Sequence, residues 1–176
     1  MATTVTIVPV REYLSEVYRP DCDYVDGEVR ERNMGEHDHA RLQALIASWF
    51  LGHEAEWKIE SLIEQRVRAG EARYRIPDVC LLHADAPYEK IIEHPPLLCI
   101  EILSPEDRLT RVVERIEDFL RMGVEHVWLI DPTQRKSFVC KPGSMTEPQD
   151  GQLKIAGTPI FLDMNSMFSL LDKKRD

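Results

Sequence analysis

Between Glu36 and about His53 the apolar residues Leu42, Leu45, Ile46, Trp49 and Phe50 recur at the i, i+3, i+4, i+7, i+8 spacing of a helix with one buried face. His39, three positions before Leu42, extends that face into the first turns, with Glu36 and Gln43 flanking it. A second stripe, Leu109, Val112, Val113, Ile116, Phe119 and Leu120, predicts a helix that opens after Ser104-Pro105 and stops at Met122-Gly123. Between the two helices the runs Trp57 to Arg68, Ile76 to Leu82 and Leu97 to Leu103 read as strands, parted by the polar or proline-bearing stretches HADAPYEK and EHPP. Val127 to Ile130 and Ser137 to Lys141 follow as strands on either side of Asp131-Pro132. Upstream, residues 10 to 18 suit a short helix, and Asp26-Gly27 suits the two-residue turn of a hairpin. A tail punctuated by Pro and Gly from Pro142 to Gly157 leads to a last helix around Met164 to Leu171. The order of helix, strands, helix and strand predicts an α/β or α+β fold with a mixed central β-sheet flanked by helices.

Two residues break the apolar pattern. Glu101 lies in LLCIEIL, on the same strand face as Leu97, Cys99 and Leu103, while Leu98, Ile100 and Ile102 point the other way. Asp78, in IPDVCLL, shares a face with Ile76, Cys80 and Leu82 and follows a proline that removes one ladder donor. A carboxylate in such a place costs several kcal/mol or takes up a proton unless a cation or hydrogen-bond donors meet it. Were the two strands neighbours, both acids would converge on one hard cation with oxygen ligands, as Mg²⁺ prefers. The alternative is that each acid is paired with an arginine from elsewhere, or that the sheet end is open to water.

Downstream of Glu101, Arg108, Arg111 and Arg115 stand at i, i+3 and i+7 on one flank of the second helix. An acidic strand followed by a basic flank suits a phosphodiester, with a cation on the acids and guanidinium clamps on the phosphate. The same flank could equally be solvated and paired with Glu114, Glu117 and Asp118. His37 and His39 are not an H-x-H metal pair, because on a helix they point ~200° apart.

The 176 residues fit one domain, here taken as 1–176 with a core of about 10–141 and a C-terminal extension of 142–176. With 22 basic against 31 acidic residues the net charge is −9, which excludes a protein that coats nucleic acid by bulk positive charge. A metal-dependent nuclease remains open, since its site is made of carboxylates and the bound ion reverses the local field. MATTVTIVPV lacks a basic n-region and a signal-length apolar stretch, and the apolar runs elsewhere are too short to span a bilayer, so a cytoplasmic, non-membrane protein is expected. Cys22, Cys80, Cys99 and Cys140 have no metal-site spacing and read as reduced packing residues.

DGE at 26 to 28, H-x-R-L at 39 to 42, EQRV at 64 to 67, RIPDV at 75 to 79, PPLLCIEILSPEDR at 95 to 108 and GVEHVWLIDP at 123 to 132 form an ordered set over roughly residues 10 to 141. The set resembles the bacterial Uma family of restriction-endonuclease-like proteins, within the PD-(D/E)XK nuclease superfamily. That resemblance implies an α/β restriction-endonuclease-like core, with Pro77-Asp78 as the PD element and Glu101 as the following acid. The XK position departs, because Leu103 stands two residues after Glu101. The family's lysine on the next helix is matched here by Arg115, in Glu114-Arg115-Ile116. An arginine, with a pKa above ~12, can hold phosphate but cannot act as a base. A further superfamily acid from the first core helix points to Glu36 or His39, and Glu28 matches the DGE motif in a role that could be structural.

The function implied is Mg²⁺- or Mn²⁺-dependent hydrolysis of a nucleic-acid phosphodiester, with DNA as substrate. Asp78 and Glu101 would hold the metal, Arg108, Arg111 and Arg115 would bind phosphate, and Glu36 or His39 would orient water, in a homodimer. The alternative is a catalytically impaired nuclease fold that binds nucleic acid or protein as a homodimer. A hydrolase of small phosphoesters would use the same ligands.

Overall fold

The computed structural model describes residues 7–33 and 36–173; the first six residues of the N-terminal stretch read above for targeting signals lie outside that range. In chain order the elements are α1 (Val10–Ser15), β1 (Cys22–Val25), β2 (Glu28–Glu31), α2 (His37–Leu51), α3 (Glu54–Trp57), β3 (Ile59–Ile63), β4 (Val67–Gly70), β5 (Arg73–Arg75) and β6 (Val79–His83). They continue as β7 (Leu98–Ile102), α4 (Leu109–Met122), β8 (His126–Asp131), β9 (Lys136–Lys141), β10 (Ser144–Thr146), β11 (Gln152–Lys154), β12 (Phe161–Asp163) and α5 (Met164–Asp172).

Six strands form the central sheet in the order β10-β9-β8-β7-β6-β3. Only β7 and β8 run parallel, as the α4 crossover between them requires, so the sheet is mixed as the sequence predicts. Leu98, Ile100 and Ile102 of β7 pack with Leu42, Ile46 and Phe50 of α2 and with Met167 and Leu171 of α5. The other face of the sheet places Cys80, Cys99, Val127 and Leu129 against Val112, Ile116 and Phe119 of α4. Leu109, assigned to the α4 stripe from spacing alone, is 65% exposed; the apolar contact of the helix with the sheet begins at Val112, which is wholly buried. The tail contributes Leu153, Ile160, Leu162 and Met164 to the α2 side of the core.

A second sheet, β2-β1-β5-β4, is anchored to α4 by ion pairs from β5 and by Val67 of β4, which packs with Val112, Ile116 and Phe119. Asp26 and Gly27 both have positive φ, 51° and 95°, the geometry of the tight hairpin turn read from their sequence. Asp118 of α4, wholly buried, accepts from Nη1 of Arg73 at 3.0 Å and from Nε of Arg75 at 2.8 Å, while Arg75 Nη1 reaches Asp23 Oδ2 at 2.8 Å.

The single strand predicted from Trp57 to Arg68 divides. Trp57 closes α3, Lys58 and Glu64 adopt left-handed φ of 54° and 50°, and the two halves enter different sheets, β3 beside β6 and β4 beside β5. The run from Ile76 to Leu82 likewise enters the ladder only at Val79, since Pro77 has no N–H to give and the Asp78 carbonyl is shared between Gln43 and the Glu64 amide just past β3. Cys22, Cys80, Cys99 and Cys140 are all free and buried. No helix among the described residues is long and apolar enough to cross a membrane.

Candidate active site

Register brings the two anomalous acids together. β6 pairs with β7 through Val79↔Ile100, Cys80↔Cys99 and Leu81↔Leu98, so Asp78, one residue before β6, stands opposite Glu101. The main-chain N–H of Ile102 donates to Asp78 Oδ2 at 2.7 Å, tying the acid to the end of β7. Arg32, just beyond β2, donates from Nη2 to Asp78 Oδ1 at 2.6 Å. His39 Nε2, from the first turn of α2, lies 3.4 Å from Asp78 Oδ2. Gln43, one turn further, donates to the Asp78 carbonyl at 3.0 Å, which also receives the N–H of Glu64. Burial pushes the Asp78 carboxyl up, but His39, Arg32 and the Ile102 amide together outweigh it and leave the acid below its usual range. Burial lowers the His39 imidazole, and Asp78 more than compensates, so its pKa is raised.

Glu101 is served differently. It is wholly buried, and neither carboxylate oxygen has a hydrogen-bond partner. Arg115 of α4 places Nε 3.0 Å from Oε2, yet that Nε is itself without a hydrogen bond, so the contact is an ion pair approached off the N–H direction. Arg115 Nη2 stands 3.5 Å from Asp107 Oδ1. Asp107 also fixes the loop after β7, accepting from Ser104 N at 2.8 Å. Desolvation raises the Glu101 carboxyl to about 7, opposed by Arg115 and reinforced by Asp78.

Two clefts meet at His39. One, of about 300 Å³, is lined by Arg32, Asn33, His39, Gln43, Glu64 and Asp78 among others. The other, of about 320 Å³, runs past Glu36, His39, Leu103, Pro105 and Thr133. Glu36 occupies the N-cap of α2, exposed and making no side-chain cap bond, so the structure brings His39 to Asp78 and leaves Glu36 in the second cleft. Arg115 is buried at Glu101, whereas Arg108, at the N-cap of α4, and Arg111 are exposed and have no ion pair among the described residues. Glu28 lies apart from the acids, bound to Arg30 at 2.8 Å, and Arg30 continues to Glu114 at 2.6 Å.

Sequence reasoning missed Arg32, and it missed the Asp23–Arg75–Asp118 chain behind the site. Both join segments distant in the chain, the end of β2 to the head of β6 and β5 to α4, with partners 46 and 43 residues away for Arg32–Asp78 and Arg75–Asp118, so no local spacing announces them.

No three His, Cys, Asp or Glu side chains among the described residues stand together as a finished cation site. The donor chemistry nevertheless fits a hard divalent ion that completes its shell with water. Asp78 and Glu101 supply oxygens on facing strands, and both Glu101 oxygens are sealed from water with no donor of their own.

No curated protein matches the sequence significantly. Among solved structures, the chain is similar to a putative nuclease belonging to DUF820 from Anabaena variabilis, at 22% identity and TM-score 0.80, covering 93% of this chain and 99% of that one. It is more distantly similar to the DrdV–DNA complex, at 15% identity and TM-score 0.40, covering 75% of this chain and 11% of that one. The first likeness establishes the restriction-endonuclease-like fold. Residues 11–166 match the Uma2 family, described as "Putative restriction endonuclease", and the chain belongs to that family.

Proposed function

We propose that this chain hydrolyses DNA phosphodiester bonds with the help of Mg²⁺ or Mn²⁺. The observation that carries the reading is Glu101, a fully buried carboxylate that accepts no hydrogen bond and has only the Arg115 ion pair at Oε2, set across a strand pair from Asp78. Membership of a restriction-endonuclease family supports the nuclease class. Asp78, Glu101 and the main-chain oxygen of Ile102 would hold the ion, which when bound acidifies water and polarises the phosphate. Arg115 offsets charge on the phosphate, and Arg108 and Arg111, exposed at the start of the same helix, bind flanking phosphates.

With arginine in the lysine position no base is available from α4. His39, held by Asp78 and open to both clefts, is the group placed to take a proton from the attacking water, ahead of Glu36. Cutting both strands of a duplex calls for two sites, hence a homodimer.

A second reading, a nuclease fold that binds nucleic acid or protein without cutting, is favoured by Arg32 and Arg115, which already set one cation against each acid. Cleavage of plasmid and linear duplex DNA in Mg²⁺, Mn²⁺ and EDTA separates the two. The nuclease reading expects divalent-dependent cleavage that Asp78→Ala and Glu101→Ala each abolish. Absence of cleavage by the wild type, or its persistence in either variant, contradicts that reading.

A further inference from the structure

Arg75 and Arg115 are both nearly sealed from solvent, with side chains 2% and 9% exposed, whereas Arg32 remains at the cleft wall at 15%. Only Nη2 of Arg32 is engaged, on Asp78 Oδ1; among the described residues its other guanidinium nitrogens have no acceptor and are not buried. Asn33 and His39 line the same cleft beside it. A guanidinium is a fork suited to two oxygens of one phosphate, and here a single nitrogen of the fork is in use.

Asp78 Oδ2 already accepts the Ile102 amide and faces His39, so a cation held by the paired acids would call on Oδ1, the oxygen that Arg32 occupies. Arg32 and a divalent ion therefore compete for one carboxylate in the free protein, since each is positive and each needs that oxygen. Once a phosphodiester is present, both can be satisfied, Arg32 by moving its fork to the phosphate and the ion by taking Asp78.

We propose that Arg32 is a phosphodiester-binding residue stored on Asp78, so that substrate and metal each favour the other's binding through this one side chain. The inference rests on the nuclease reading above and adds to it a residue and a coupling. It predicts opposite signs for two equilibria, which a merely structural arginine would not produce.

The test uses the full chain and its Arg32→Gln and Arg32→Lys variants. Mn²⁺ binding is read from the loss of the free-ion paramagnetic signal, without DNA. Binding of a fluorescent duplex is read by anisotropy in Ca²⁺ and in EDTA. Arg32→Gln is expected to bind Mn²⁺ several-fold more tightly than wild type and the duplex about tenfold more weakly, roughly the loss of one charge-assisted hydrogen-bonded contact. Arg32→Lys, which keeps the charge but not the fork, is expected to bind Mn²⁺ as wild type does and the duplex with intermediate affinity.

Weaker Mn²⁺ binding in Arg32→Gln, or unchanged duplex binding in both variants, overturns the proposal. If Arg32→Gln does not fold, Arg32→Lys decides alone, and wild-type duplex affinity in that variant counts against it. A wild type that binds neither Mn²⁺ nor duplex overturns the nuclease reading itself, an outcome distinct from a wild type that binds both and an Arg32 variant that behaves identically.

Discussion

Replacing Glu101 by Gln changes one buried oxygen to an amide and removes one charge, and its effect should depend on pH in a way the surroundings of the residue dictate. Burial raises the carboxyl from its ordinary 4.5 to about 7. A folded-state value above the unfolded one means that the protonated acid favours the folded form. That contribution is complete below pH about 4.5 and is lost as pH climbs through about 7, a difference of about 3 kcal/mol when the group is fully ionised. Glutamine cannot ionise, so Glu101→Gln should escape this loss. Part of the gain is offset, since Arg115 then faces only Asp107, at 3.5 Å, and a net gain of about 1 to 2 kcal/mol at pH about 8 is the expectation.

Urea unfolding in EDTA, repeated between pH about 5 and about 8 on both proteins, reads the difference directly. Asp78 does not confuse the result, because its lowered pKa puts its own titration below this window, and the raised His39 titration is set chiefly by Asp78 in both proteins, with Glu101 the last of its causes. The variant should gain on the wild type steadily as pH rises. A stability difference that is flat with pH, or that turns against Glu101→Gln on the alkaline side, would refute the assignment of Glu101 as an acid strained by desolvation.

Other expectations follow from the same contacts. Arg115→Met should destabilise more at pH about 8 than at pH about 5, measured by urea unfolding, because at low pH Glu101 is already neutral and no longer needs the guanidinium. Asp118→Asn, which removes a wholly buried charge shared by Arg73, Arg75 and Arg121, should cost about 3 to 5 kcal/mol and loosen β1 and β5 from α4 while Val67 holds β4, seen as loss of amide-exchange protection in β1 and β5. Cleavage, if His39 takes the proton, should rise with pH through a value above 6.5, and His39→Ala should lose that limb of the profile while retaining Mn²⁺ binding.

Asp78 and Glu101 were legible because an acid among alternating apolar residues is a local anomaly, and the register of β6 with β7 merely confirmed that they face each other. The helical spacing also placed Arg115 on the flank of α4, but it could not separate the buried Arg115 from the exposed Arg108 and Arg111, since that depends on where the helix axis crosses the sheet. Lys58 and Glu64 broke the predicted strand without a glycine to mark either place; non-glycine residues at positive φ leave almost no trace in composition. Arg32 was invisible for another reason. It follows a strand with no buried residue, so alternation says nothing about its face, and its partner stands at the head of β6 in the other sheet. Glu28 and Asp26, conspicuous in the sequence, turn out to hold arginines of the small sheet, Arg30 and Arg73, away from the paired acids.

Asp78 and Glu101 are proposed to hold a divalent ion together. Calorimetric titration of Mg²⁺ and Mn²⁺ into the full chain, in two buffers of different ionisation enthalpy, tests it most directly, because a cation binding to an acid with a pKa of about 7 must displace its proton. Binding should tighten between pH about 6 and about 8, release protons on the acid side of that range, and be lost, with its proton release, in Asp78→Asn and Glu101→Gln. Binding that is indifferent to pH and survives in both variants, or no binding by the wild type, would contradict it.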